Sequence, residues 1–125
     1  MCPLLRGRLV GKAYQRVKKR RKSKTKKMTE KFKQAYQKFI DTWGVDMQST
    51  MAIEEMSELT KAICKYKRCE EIEVERKQKA LENLKEEIAD VLNMSEQLEL
   101  VFGIEEIEKI REEKINRTLE KAKKE

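Results

Sequence analysis

The chain has no histidine at all, and only one proline and four glycines among its 125 residues. Without histidine there is no Ser-His-Asp or Cys-His nucleophile system, no histidine-ligated zinc and no imidazole general base. Any chemistry falls to carboxylates, Lys or Arg, Cys, hydroxyls, or a metal held through oxygen. The shortage of turn formers excludes a β-sandwich, which needs many turns. The three cysteines, Cys2, Cys64 and Cys69, are odd in number and show no short paired spacing of the zinc-binding kind. They read as reduced thiols in a reducing compartment, and the expected location is cytoplasmic. No apolar run approaches the roughly 18 residues of a membrane span. Residues 1–10 are too short and too interrupted by Arg6 and Arg8 to form a signal-peptide core.

What the chain has in abundance is charge, at 42% of residues, and it is unevenly placed. Residues 1–28 hold twelve Lys or Arg and no acid, whereas the rest holds 18 basic and 23 acidic residues. The formal net charge of +7 therefore belongs to an appendage, and the remainder is acidic. The run around Lys18, Lys19, Arg20, Arg21 and Lys22 repels itself and buries nothing. Residues 1–28 are expected to be a disordered basic extension. A contact surface for nucleic acid phosphates, a targeting segment, or translation starting at Met28 are the other readings.

Residues 29–125 are expected to form one all-α domain of four principal helices. Thr29 is placed to cap the first, whose Phe32, Tyr36, Phe39, Ile40 and Trp43 share a face up to Gly44. Asp46 caps a second, to about Lys67, in which Ala52, Met56, Leu59, Ile63 and Tyr66 alternate at four and three. Residues 68–79 are charged and partly helical. The third helix carries Leu81, Leu84, Ile88, Val91, Ser95, Leu98 and Phe102, and Gly103 ends it. The last begins near Ile104, carries Ile107, Ile110, Ile115 and Leu119, and frays in its final Lys-rich residues. Such stripes in so short a domain leave apolar surface uncovered in one chain, so self-association is expected.

The acids fall in a repeated register. In Glu55-Met56-Ser57-Glu58 and in Glu87-Ile88-Ala89-Asp90, one acid precedes a stripe residue and a second follows it by two. At about 100° per residue both pairs sit on the same flank of their stripes. Antiparallel packing through the stripes would bring the four carboxylates together beside the core. Four adjacent carboxylates stay ionised only around a cation, and hard oxygens suit Mg²⁺ or Mn²⁺. The plainer alternative is a set of solvated i,i+3 acids in an acid-rich chain. Glu54 and Glu86 precede the pairs and point further outward, as candidates for a second metal or a water-orienting base.

The segment Glu54-Glu55-Met56-Ser57-Glu58, then 28 residues, then Glu87-Ile88-Ala89-Asp90 resembles the EExxE…ExxD signature of the all-α nucleoside triphosphate pyrophosphohydrolases. These are the MazG-like proteins, with the dimeric dUTPases and dCTPases and the phosphoribosyl-ATP pyrophosphohydrolases as relatives. Trp43, Gly44 and Gln48 resemble the WG…Q lead-in of small members. Phe102-Gly103-Ile104-Glu105-Glu106 and Lys114-Ile115-Asn116-Arg117 resemble the loop and K-x-x-R helix that follow. The likeness runs from Trp43 to Lys121. Residues 1–28 match nothing in it, and the 28-residue gap is long for the family.

The resemblance implies a helical bundle completed by oligomerisation, as a dimer or tetramer. It implies Mg²⁺-dependent cleavage of an NTP or dNTP between the α and β phosphates, giving a monophosphate and pyrophosphate. Glu55, Glu58, Glu87 and Asp90 would hold the metal, and Glu54 would be the catalytic base. Lys114 and Arg117 would grip phosphate, and Trp43 would contact the base. Each has a structural alternative: cations offsetting a helix dipole for the first two, and an aromatic core position for Trp43. Base and sugar preference are not written in the residues. The contrasting reading is a non-enzymatic helical interaction protein that binds nucleic acid through its basic N-terminus.

Overall fold

The computed structural model describes residues 28–124, so the expectation for the basic extension lies outside the described residues apart from Met28. There are three helices among them and no strand: α1 (Glu30–Arg68), α2 (Val74–Phe102) and α3 (Ile104–Lys124). The all-α expectation holds, and the expected count of four becomes three. The reason lies at Gly44. Its φ of 85° and ψ of 159° are non-helical, yet helical hydrogen bonding resumes at once on its far side. The first two expected helices therefore run on as α1, two helical segments that meet across a kink at Gly44. Asp46 follows the break by two residues, and its carbonyl accepts from the Thr50 hydroxyl at 3.1 Å.

The ends follow their local chemistry. Thr29 caps α1, its hydroxyl accepting from the Phe32 N–H at 3.3 Å. Only residues 69–73 of the charged stretch form a turn, with the Cys69 N–H on the Tyr66 carbonyl at 3.2 Å; helix resumes at Val74. Gly103, at φ 116°, ends α2 with its N–H on the Glu99 carbonyl at 3.0 Å. The final Lys-rich residues stay helical to Lys124.

α1 and α2 pack as an antiparallel pair. Tyr66 near the end of α1 meets Lys77 near the start of α2, with the ammonium 5.6 Å from the ring centroid. Glu55 meets Glu87 and Asp90 midway. Before the break, Tyr36 is buried and its hydroxyl donates to Glu96 Oε2 at 2.6 Å, with the Asn93 amide oxygen 3.1 Å away. In an uninterrupted antiparallel pair Tyr36 would lie past the end of α2. The Gly44 break turns the first segment of α1 back onto it, and Tyr36 locks it there.

The seam is narrow and built from small residues. Ala52, Ala62 and Ala80 are buried, together with Cys69 and Met94, and no large side chain is fully enclosed. Leu59, Leu84 and Val91 are half-buried between them. Met56, Ile63 and Ile88, expected in the core, are each more than two-fifths exposed, and Phe102 is 64% exposed. The contact stripe is rotated toward the acids relative to the apolar stripe. By angular position, Val45, Ile53, Met56 and Ile63 then lie on one side of the α1 seam, Glu54 and Glu58 on the other, and Glu55 in the seam itself. On α2 the same order puts Ile88 and Leu92 opposite Glu86 and Asp90, with Glu87 in the seam. The hairpin has one acidic face and one apolar face. Among the described residues no helix is long and apolar enough to cross a membrane.

Gly44 offers a direct test. A Cβ there meets nothing within 4 Å, so Gly44→Ala adds no clash and its whole cost is backbone conformation. We expect a loss of about 1–3 kcal/mol in urea denaturation, the usual cost of a non-glycine residue held in such a region. An unchanged midpoint would show that the break is not kept in solution.

Candidate metal centre

Glu55 comes from α1, and Glu87 and Asp90 from successive turns of α2. One oxygen from each lies within 4.8 Å of the others, so three of the four carboxylates expected to converge do so. The approach differs from the expected one. Glu55 and Glu87 are half-buried in the seam itself, and Asp90 alone stands exposed beside it. Small neighbours make this possible: Ala52, one turn before Glu55, lets the helices approach closely enough to draw the carboxylates inward.

The electrostatics are those of an anion cluster without a counter-charge. Partial desolvation, then the charge of Asp90, then those of Glu54 and Glu58 push the Glu55 carboxyl above the usual carboxylate range. Glu87 is raised too, by desolvation first and then by Asp90, Glu55, Glu58 and Glu86. Glu87 Oε2 is out of solvent and has no hydrogen-bond partner. An ionised oxygen so placed is costly unless a proton or a cation satisfies it.

The donor set fits a hard divalent cation. Every donor is a carboxylate oxygen, with no nitrogen or sulfur among them. Opposite ligands of an octahedral Mg²⁺ stand about 4.2 Å apart, from bonds of roughly 2.1 Å. The observed span closes onto such an ion by a modest side-chain rotation.

The other expected residues are placed less compactly. Glu58 is exposed and paired with Lys61 at 3.3 Å, near enough to raise Glu55 and Glu87 but outside the tight trio. Glu54 is exposed beside Glu55. Trp43 is 56% exposed, tilted against Phe39 with ring centroids 5.8 Å apart, and lies across the Gly44 break from the acids. Lys114 and Arg117 are exposed on α3, which touches α2 but not α1. From Asp90 to Phe102 alone the helix rises about 18 Å. A single chain does not bring these two cations to the carboxylates.

Polar groups the sequence did not single out also lie along α2. Asn93 and Glu96 continue the three-residue steps from Glu87 and Asp90, and both meet Tyr36. Gln97, on the same helix, is more than nine-tenths buried and its Oε1 has no partner, while Gln48 of the WG…Q lead-in is also more than nine-tenths buried, on α1. The three-residue spacing of Glu87, Asp90, Asn93 and Glu96 was the available signal, and Tyr36, at apolar spacing, gave none.

Comparison of the chain with protein families, with curated proteins and with solved structures gives no match in any of the three.

Proposed function

We propose that the protein is a Mg²⁺-dependent nucleoside triphosphate pyrophosphohydrolase, releasing pyrophosphate and a nucleoside monophosphate. The observation that carries this reading is the meeting of Glu55, Glu87 and Asp90 around an unsatisfied carboxylate oxygen, within the EExxE…ExxD pattern. Glu55, Glu87 and Asp90 would hold the ion, with Glu58 joining when it leaves Lys61; Mn²⁺ would serve in its place. The bound ion would neutralise phosphate charge and make water more acidic. In the reaction a water oxygen bonds to the α phosphorus, the bond from that phosphorus to the α,β bridging oxygen breaks, and pyrophosphate leaves with that oxygen. Glu54, next to Glu55 in the chain, would take the proton of the attacking water. Lys114 and Arg117 would hold phosphate oxygens, Arg in a bidentate manner. They would come from a second copy, because α3 does not reach the carboxylates of its own chain.

The test is pyrophosphate release across a panel of NTPs and dNTPs with Mg²⁺, alongside melting with and without the metal. A bound ion raises the melting midpoint by mass action. Neither release nor a midpoint shift at millimolar Mg²⁺ or Mn²⁺ would favour the interaction-protein reading.

The charge split supports a separate role for the basic segment, as a contact for nucleic acid. Deleting residues 1–27 is expected to leave hydrolysis unchanged and to abolish nucleic-acid binding. That binding should weaken steeply with salt and show little sequence preference, because phosphate contacts release counterions without reading bases. A fall in catalytic rate on deletion would mean that the segment's Lys or Arg residues reach the triphosphate.

A further inference from the structure

The first segment of α1, residues 30–43, is an arm fastened to the hairpin at one point. Tyr36, at 4% exposure, is its one buried residue, and Ala35, Phe39 and Ile40 of the same segment are half-buried. The Tyr36 hydroxyl donates to Glu96 Oε2 at 2.6 Å and lies 3.1 Å from the Asn93 amide oxygen. Among the described residues these are the only hydrogen bonds that join α1 to α2. A hydroxyl donating to a carboxylate makes a bond of the strong, charge-assisted kind. Burial first, and then Glu96, push the Tyr36 phenol above its ordinary range, which keeps it a donor. The arm leaves the hairpin at Gly44, whose φ of 85° interrupts the helix and where a Cβ would meet nothing within 4 Å. That open space leaves the backbone room to turn.

We propose that residues 30–43 form a latched arm: Gly44 is its pivot, and the Tyr36 hydroxyl on Glu96 is the catch that holds it closed against α2. A glycine absorbs the change in φ and ψ that such a swing needs at little steric cost. Opening breaks the catch and the shallow apolar contact around it. The hairpin beyond the pivot keeps its own seam, with Ala52, Ala62, Ala80 and Met94 buried in it. Asn93 and Glu96 continue the line of Glu87 and Asp90, and Glu96 stands about 9 Å from Asp90 along the helix. The closed arm caps the far end of that line. The open arm frees a carboxylate and an amide there. Trp43 sits beside the pivot, so the closed arm also fixes where its ring stands. The motion needs neither metal nor nucleotide, and it occurs whether or not the carboxylate trio hydrolyses nucleotides.

The experiment uses the full chain and two readouts. Spin labels go at Lys33→Cys on the arm and Lys85→Cys on α2, both exposed, with Cys2→Ser, Cys64→Ser and Cys69→Ala removing the native thiols. Dilution with unlabelled chain restricts the measured distances to those within one molecule. Pulsed dipolar spectroscopy should give one main distance for this parent. Tyr36→Phe and Glu96→Ala should each add a longer one, its share relative to the closed distance rising at least about tenfold. Glu96→Gln keeps a side-chain oxygen for the hydroxyl and should stay closer to the parent. Combining Tyr36→Phe with Glu96→Ala should open the arm no further than either alone, because both remove the same bond. Amide exchange should quicken in residues 34–43 and not in the hairpin beyond Gly44, since so short a helix is marginal once undocked. Unchanged distances in Tyr36→Phe and Glu96→Ala, or equal loss of protection in arm and hairpin, would overturn the proposal.

Discussion

Asp90→Asn and Glu58→Gln are each expected to reduce Mg²⁺-dependent pyrophosphate release by at least about 100-fold, or about 2.7 kcal/mol of transition-state stabilisation. Glu87→Gln should be as severe, because its side chain holds the unsatisfied oxygen of the trio. None of the three should unfold the protein. Asp90 and Glu58 are exposed, and Glu87 lies in the seam only in part. The metal-free midpoint should even rise for Asp90→Asn, since its charge is the first-ranked neighbour pushing up both Glu55 and Glu87. The pH dependence has a fixed sign. A carboxyl raised on folding stabilises at low pH and costs stability as pH rises through its folded value. The metal-free domain should therefore melt higher just below the ordinary carboxyl range than at neutrality. Saturating Mg²⁺ should flatten that slope, and Glu87→Gln should flatten it without metal. Full activity in Asp90→Asn would remove the metal assignment altogether.

A chain beginning at Met28 is expected to show at least twice the monomer mass by light scattering, and a double Met56→Lys, Ile88→Lys variant to fall to monomer with a melting midpoint lower by 10 °C or more (about 2 kcal/mol or more for a domain of this size). The seam of one hairpin encloses no large side chain completely, while Ile53, Met56, Ile63, Ile88 and Leu92 stay open to solvent. Covering a Leu or Ile side chain contributes about 1.5–3 kcal/mol, so an open face of five such residues is a large unclaimed stabilisation. The proposed phosphate grip by Lys114 and Arg117 of a second copy makes the same demand. The double variant should thus lose hydrolysis together with assembly. A clean monomer at tens of micromolar that still turns over nucleotide would separate the two ideas and sink the shared site.

Much of this was legible in order of local cause. The Thr29 cap, the disturbance at Gly44, the stop at Gly103 and the restart at Ile104 are set by side chains within a turn of the backbone they govern. The pairing of Glu55 with Glu58 and of Glu87 with Asp90 on like flanks follows from helical periodicity alone. Tyr36 shows where that reading stops, since four-and-three spacing marks it as apolar and says nothing of a hydroxyl aimed at Glu96 some 60 residues on.

The amino-acid order by itself determined that the chain is helical, where its helices are interrupted, and which residues share a face. Those are properties of one helix and its caps. Only the tertiary structure decided which part of each broad apolar stripe meets the partner helix. The seam sits roughly 45° round from the stripe's centre, toward the acids, at about 100° per residue. The physical reason is that an apolar stripe wider than one helix can cover permits more than one contact line. The line through Ala52, Ala62 and Ala80 lets the backbones come closest. Choosing it leaves Met56, Ile63 and Ile88 in the open and draws Glu55 and Glu87 together in the seam.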